Sequence, residues 1–142
     1  MVLNNFFVEF KKQSKTGKLR KELAQKYKSG EIKHQFKGHR LTVTCAVVSH
    51  DSKFVFSGSK DASIIKWNCE TGLREKTIKK RLLNKNSTEK GHLNEILCMA
   101  ISSDFEFLAT SGKDKSIKLW NPTTLEFIYN FEGHRDAVSV IF

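Results

Sequence analysis

The sequence predicts an all-β protein built from repeated four-stranded units. The prediction rests on a self-match at 53 positions, on short apolar runs in the same order within each copy, and on polar turn residues bounding them. Sliding the chain onto itself by 53 positions places Gly38-His39 on Gly91-His92, Asp51 on Asp104, Phe54 on Phe107, Asp61 on Asp114 and Trp67-Asn68 on Trp120-Asn121, with no gap. Cys45 falls on Cys98, Ser63 on Ser116 and Ile64 on Ile117. A third copy opens at Gly133-His134, 42 positions after the second, and its lead-in at 127–132 mirrors 32–37.

In chain order, the first element expected is a basic N-terminal extension, 1–30. Leu19, Leu23 and Tyr27 recur at helical spacing and predict a short amphipathic helix. Between Lys11 and Lys28 stand eight basic residues against Glu22 alone. The repeat region, 31–142, follows. Its first unit, about 38–79, contains apolar runs at 43–48 and 54–56, a third strand at 63–67, and a more polar outer strand at 73–78, as suits an edge. The spacing of 53 instead of 42 implies an insertion of 11 residues, a polar, basic loop at about 80–90. The second unit, about 91–132, repeats the pattern with runs at 96–101, 107–109 and 116–120, and a further unit starts at 133–142. Nearly continuous apolar runs suit inner strands covered on both faces.

Composition narrows the classes of function. The formal charge of +10, from 25 Lys and Arg against 15 Asp and Glu, favours an acidic partner, most often nucleic acid, although an anionic membrane or an acidic protein meets the same electrostatics. Met1 to Phe10 carries no Lys or Arg and is interrupted by Asn4, Asn5 and Glu9, unlike a signal peptide. No run approaches the roughly 18 apolar residues of a membrane span. With three cysteines and no secretory signal, the chain is expected to be intracellular and soluble.

A period near 42, opened by Gly-His and closed by Trp plus a small polar residue, resembles the WD repeat. The resemblance implies a WD40-type β-propeller fragment: two blades plus the start of a third, behind a short helical N-terminal extension. Phe142 is expected to fall within the first strand of a further blade, so a piece of a larger ring is expected, with its open edges unstable alone. His39, Ser57 and Asp61 could suggest a hydrolytic triad, but they recur as His92, Thr110 and Asp114, each set with a tryptophan six residues after the Asp. A catalytic site has no reason to occur once per blade. The WD resemblance instead implies structural tetrads, His39, Ser57, Asp61, Trp67 and His92, Thr110, Asp114, Trp120. Cys45 and Cys98 read as small buried hydrophobes, and no Cys or His pair has zinc-like spacing. The segment 111–116 lacks the upstream glycine of a phosphate loop. Hence no catalytic residue, metal, cofactor or small-molecule substrate is expected.

Several stretches resemble one family more narrowly, the WD-repeat proteins associated with U3 small nucleolar RNA. They are 44–48, 57–67, 96–104 and 133–139, together with the basic lead-in and the loop between the first two blades. The resemblance implies a U3 small nucleolar RNA-binding scaffold of the small-subunit processome in the nucleus and nucleolus. It would act in pre-rRNA processing toward 18S rRNA, with U3 RNA and other snoRNP or processome proteins as partners and no membrane. RNA-contacting residues are proposed from charge and repeat symmetry: Lys60 and Lys113 before each tetrad Asp, Arg40 and Arg135 after the first and third Gly-His, and Lys18, Arg20 and Lys21 in the extension. The alternative is a protein-only adaptor such as a ubiquitin-ligase substrate receptor. Its usual Trp-Asp-x-Arg reads here Trp67-Asn68-Cys69-Glu70 and Trp120-Asn121-Pro122-Thr123, so the arginine is absent twice.

Overall fold

A computed structural model describes residues 34–82 and 90–141. Strands β1 (Val43–Val48), β2 (Phe54–Ser59), β3 (Ile64–Asn68) and β4 (Arg74–Ile78) form one antiparallel sheet in that order. Strands β5 (Ile96–Ile101), β6 (Leu108–Gly112), β7 (Ile117–Trp120) and β8 (Phe127–Phe131) form a second sheet of the same topology. The expected all-β blades are therefore present. The helix expected around Leu19, Leu23 and Tyr27 and most of the basic loop lie outside the described residues. Among those residues no helix is long and apolar enough to cross a membrane.

The repetition extends to irregular backbone. Register shifts fall at Val43/Cys45 and Ile96/Cys98, and again at Lys66/Trp67 and Leu119/Trp120. Ala62 and Lys115 share the left-handed turn conformation, with φ of 64° and 66°. Serine and aspartate build the first turn of each blade. Ser49 donates to Asp51 at 2.6 Å and accepts from the Phe54 N–H, and Ser102 does the same with Asp104 and Phe107. Such side-chain bonds replace the ladder where the chain reverses.

The core lies in the seam between the blades. Phe56 and Ile64 of the first pack against Ile96, Met99, Leu108, Trp120 and Leu125 of the second. The Thr44 hydroxyl lies 2.6 Å from Ile96 O and 3.0 Å from Gly58 O, tying β1 to β5. A Cβ on Gly58 would come within 2.8 Å of both Cys45 Sγ and Ile96 Cγ2, so only glycine lets the blades close here. Farther out, Lys66 Nζ donates to Thr123 O at 2.8 Å and stands 3.3 Å from Glu75.

Two expectations about burial change. Strand β1 is half-covered rather than buried on both faces, because it is an edge strand and, among the described residues, β5 is the strand of the neighbouring sheet that packs beside it. Cys45 and Cys98 are likewise half-buried, and all three cysteines are free thiols. The outer strands also differ: β4 is polar, whereas β8 exposes Ile128, Tyr129 and Phe131.

Candidate nucleic-acid interface

Each blade is pinned by a buried polar chain whose donors and acceptors close without remainder. In the second blade, Trp120 Nε1–H donates to Thr110 Oγ1 at 2.8 Å, and the Thr110 hydroxyl reaches His92 Nε2 at 2.9 Å. His92 Nδ1–H then points between both Asp114 oxygens, 3.0 Å from each. The Leu93 N–H and the Ser116 hydroxyl also donate to the carboxylate, at 2.8 and 2.9 Å, and the Ser116 N–H at 3.4 Å. In the first blade Trp67, Ser57 and His39 join in the same way, at 2.8 Å for both links. There the histidine meets Ser63 Oγ at 2.9 Å, and Ser63 passes its own hydrogen to Asp61, while the direct His39–Asp61 separation is 3.5 Å. Ser63 and Ser116 are thus further members of these sets. Their recurrence was visible in the sequence, but their role was not.

Burial works against both carboxylates, yet their hydrogen bonds outweigh it. The Ser63 hydroxyl, the N–H groups of Arg40 and Ser63, and His39 hold Asp61 at about 2. Asp114, whose His92 partner is nearer, is lowered further. Ser57 and Thr110 are buried, each taking an indole N–H while giving its hydrogen to imidazole, so neither hydroxyl is open to a substrate. Among the described residues no group of three or more His, Cys, Asp or Glu side chains is arranged to hold a metal ion.

These chains fix the turns that carry the rim cations. The Arg40 N–H donates to Asp61 Oδ2 at 2.7 Å, and Lys60 immediately precedes that aspartate, so the backbones of two exposed cationic residues meet at one carboxylate. In the second blade Leu93 replaces Arg40 at the equivalent contact. Lys60 and Lys113 also differ in environment. Each backbone N–H bonds across the turn, to Thr42 O and Glu95 O respectively. The Glu95 carboxylate pairs with Lys113 at 3.6 Å, whereas threonine at position 42 offers no charge to Lys60. Arg135 is exposed, and its carbonyl accepts from Lys115 Nζ at 2.8 Å, which adds Lys115 to this part of the rim. Sequence symmetry missed Lys115 because the first blade has Ala62 there. Lys18, Arg20 and Lys21 lie outside the described residues.

A fold of repeated four-stranded antiparallel sheets, each locked by a Trp–hydroxyl–His–Asp chain, defines a WD-repeat propeller protein. The WD domain, G-beta repeat family pattern matches residues 30–68 and 84–121, and the chain belongs to that family. More particularly, it is similar to human U3 small nucleolar RNA-interacting protein 2, 40% identical over 126 residues. It is also similar to the rice U3 snoRNP-associated protein-like YAOH, 36% identical over 135 residues. These matches cover 87% and 89% of this chain and 26% of each relative, so the chain spans about a quarter of their length. A crystal structure of the RRP9 WD40 repeats superposes with a TM-score of 0.66 at 41% identity, covering 72% of this chain and 29% of that one.

Proposed function

We propose that this chain is part of a U3 small nucleolar RNA-binding scaffold of the small-subunit processome, a nucleolar protein serving pre-rRNA processing toward 18S rRNA. The observation that carries the reading is the 40% identity, over 87% of the chain, to a protein named for interaction with U3 RNA. The rim gives it a physical basis. The Arg40 backbone is tied to Asp61, the residue after Lys60, and Lys60 has threonine at the position where Glu95 pairs with Lys113. Cations held on a rigid turn lose little entropy when they meet phosphate. Other snoRNP or processome proteins are the partners expected on the remaining surface.

The test is recovery of RNA with the tagged protein from nucleolar extract, scored as U3 RNA relative to another abundant small nucleolar RNA. Enrichment of U3 is expected, and an Arg40→Glu, Lys60→Glu double variant should lose most of it. Equal recovery of both RNAs, or protein partners recovered without U3, would favour the adaptor role.

A further inference from the structure

The repeat separates what the fold needs from what it does not. The tetrads recur in both blades, whereas one polar cluster occurs in the second blade only. Lys115, Lys118, Asn130 and Glu132 stand where the first blade has Ala62, Ile65, Thr77 and Lys79. Lys118 is 4% exposed, at a β7 position that isoleucine fills in β3. Burying an ammonium where an alkyl group suffices is costly, so packing alone does not explain it. Its Nζ gives one hydrogen to Asn130 Oδ1 at 2.9 Å, and the Asn130 amide in turn donates to Glu132 at 2.6 Å.

These side chains line an open cavity of about 240 Å³, to which Arg81 and His134 also contribute. That is below the roughly 300–1,000 Å³ of pockets for drug-sized molecules and suits a smaller polar group. Arg81 enters from the end of the first blade, where its N–H is fixed to His92 O at 2.9 Å and its side chain is exposed. Lys115 Nζ uses one hydrogen on Arg135 O, leaving two. Asp114 also borders the cavity, but His92, Leu93 and Ser116 occupy its oxygens.

We propose that this cavity between the blades seats a sugar–phosphate unit of RNA, with Arg81, Lys115 and Lys118 on the phosphate and Asn130 and Glu132 on sugar hydroxyls. The assignment rests on the RNA-binding reading above and deepens it by naming a site apart from the Arg40–Lys60 rim. Mixed lining favours this occupant over an acidic peptide, whose carboxylates would meet Glu132 with no hydrogen to give. Burial lowers the pKa of Lys118, the mark of an ammonium short of solvation that an anion would supply.

Fluorescence anisotropy of a labelled, mixed-sequence single-stranded RNA dodecamer tests the site on the whole chain. The variants are Lys118→Ile and Lys115→Ala, which restore small or apolar side chains as in the first blade, and the exposed Arg81→Gln. Thermal unfolding of Lys118→Ile should match or exceed wild type, and Arg81→Gln supplies an independent reading that does not touch the core. Each variant should weaken RNA binding about tenfold, the size of one charge-assisted hydrogen bond. The slope of log affinity against log salt should fall by about 0.7 for each cation taken off the phosphate. Variants that bind RNA like wild type would overturn the cavity and leave the rim reading standing. Wild type that binds no RNA would overturn both. A polyglutamate peptide that displaces RNA from wild type but not from Lys118→Ile would assign the cavity to acidic peptides instead.

Discussion

Replacing the two tetrad aspartates by alanine should not cost the same. Asp114→Ala leaves His92 Nδ1–H, the Leu93 N–H and the Ser116 hydroxyl without their acceptor, around a histidine that is 0% exposed. Each buried donor left unsatisfied costs about 1–3 kcal/mol, and breaking a buried pair costs about 3–5, so a loss near 4 kcal/mol is expected. Asp61→Ala is milder. His39 keeps Ser63 Oγ at 2.9 Å, and the Arg40 N–H belongs to an exposed residue that water can serve. About 1–2 kcal/mol is expected there. At about 3 °C per kcal/mol for a domain of this size, the melting temperature should fall by roughly 12 °C for Asp114→Ala and by roughly 5 °C for Asp61→Ala. Near-ultraviolet circular dichroism during thermal unfolding reads both through Trp67 and Trp120. Equal losses, or a larger one for Asp61→Ala, would refute the role given to Ser63.

Both aspartates ionise more readily in the fold than in an unfolded chain, so their contribution is complete above an ordinary carboxylate pKa near 3.8 and is lost as the pH falls through the folded value. For Asp61, at about 2, this amounts to roughly 2 kcal/mol lost mainly between about pH 4 and pH 2, and an Asp61→Asn variant should show a flatter acid titration of urea midpoints. Thr110→Val preserves shape but strands Trp120 Nε1–H and His92 Nε2. About 2–4 kcal/mol should be lost, measured by the same urea midpoints, and a loss under about 0.5 would mean the hydroxyl is dispensable. Lys66→Met removes the bond to Thr123 O, leaves Glu75 without its ammonium and takes the charge from above the Phe54 ring, while keeping a side chain of similar length. A cost of about 1–2 kcal/mol is expected, with faster amide exchange across the seam as its signature.

The blades were legible because tertiary structure repeats with the sequence. Gly-His, Asp and Trp return at fixed offsets, so the strand order and the tetrad positions could be read without coordinates. What could not be read depends on residues brought together from other strands. Lys60 and Lys113 occupy the same repeat position, and their cross-turn neighbours Thr42 and Glu95 set them apart. The first tetrad differs from the second because the Ser63 oxygen stands between imidazole and carboxylate, a matter of tenths of an ångström that spacing does not encode. Lys118 was hidden in an apolar strand pattern. Its meaning emerges only from the β7–β8 register that sets it opposite Asn130. Half-burial of β1 was missed because an apolar run signals a hydrophobic strand without saying how many neighbours cover it.

The most direct test of the central claim is a salt titration of U3 RNA binding comparing Lys60→Glu with Lys113→Glu. If Lys60 meets a phosphate while Lys113 is engaged by Glu95, Lys60→Glu should lower the log–log salt slope by about 0.7–0.9 and weaken binding at low salt. Lys113→Glu should change both by clearly less. Unchanged affinity and slope for Lys60→Glu would show the rim to be solvated surface and contradict the account.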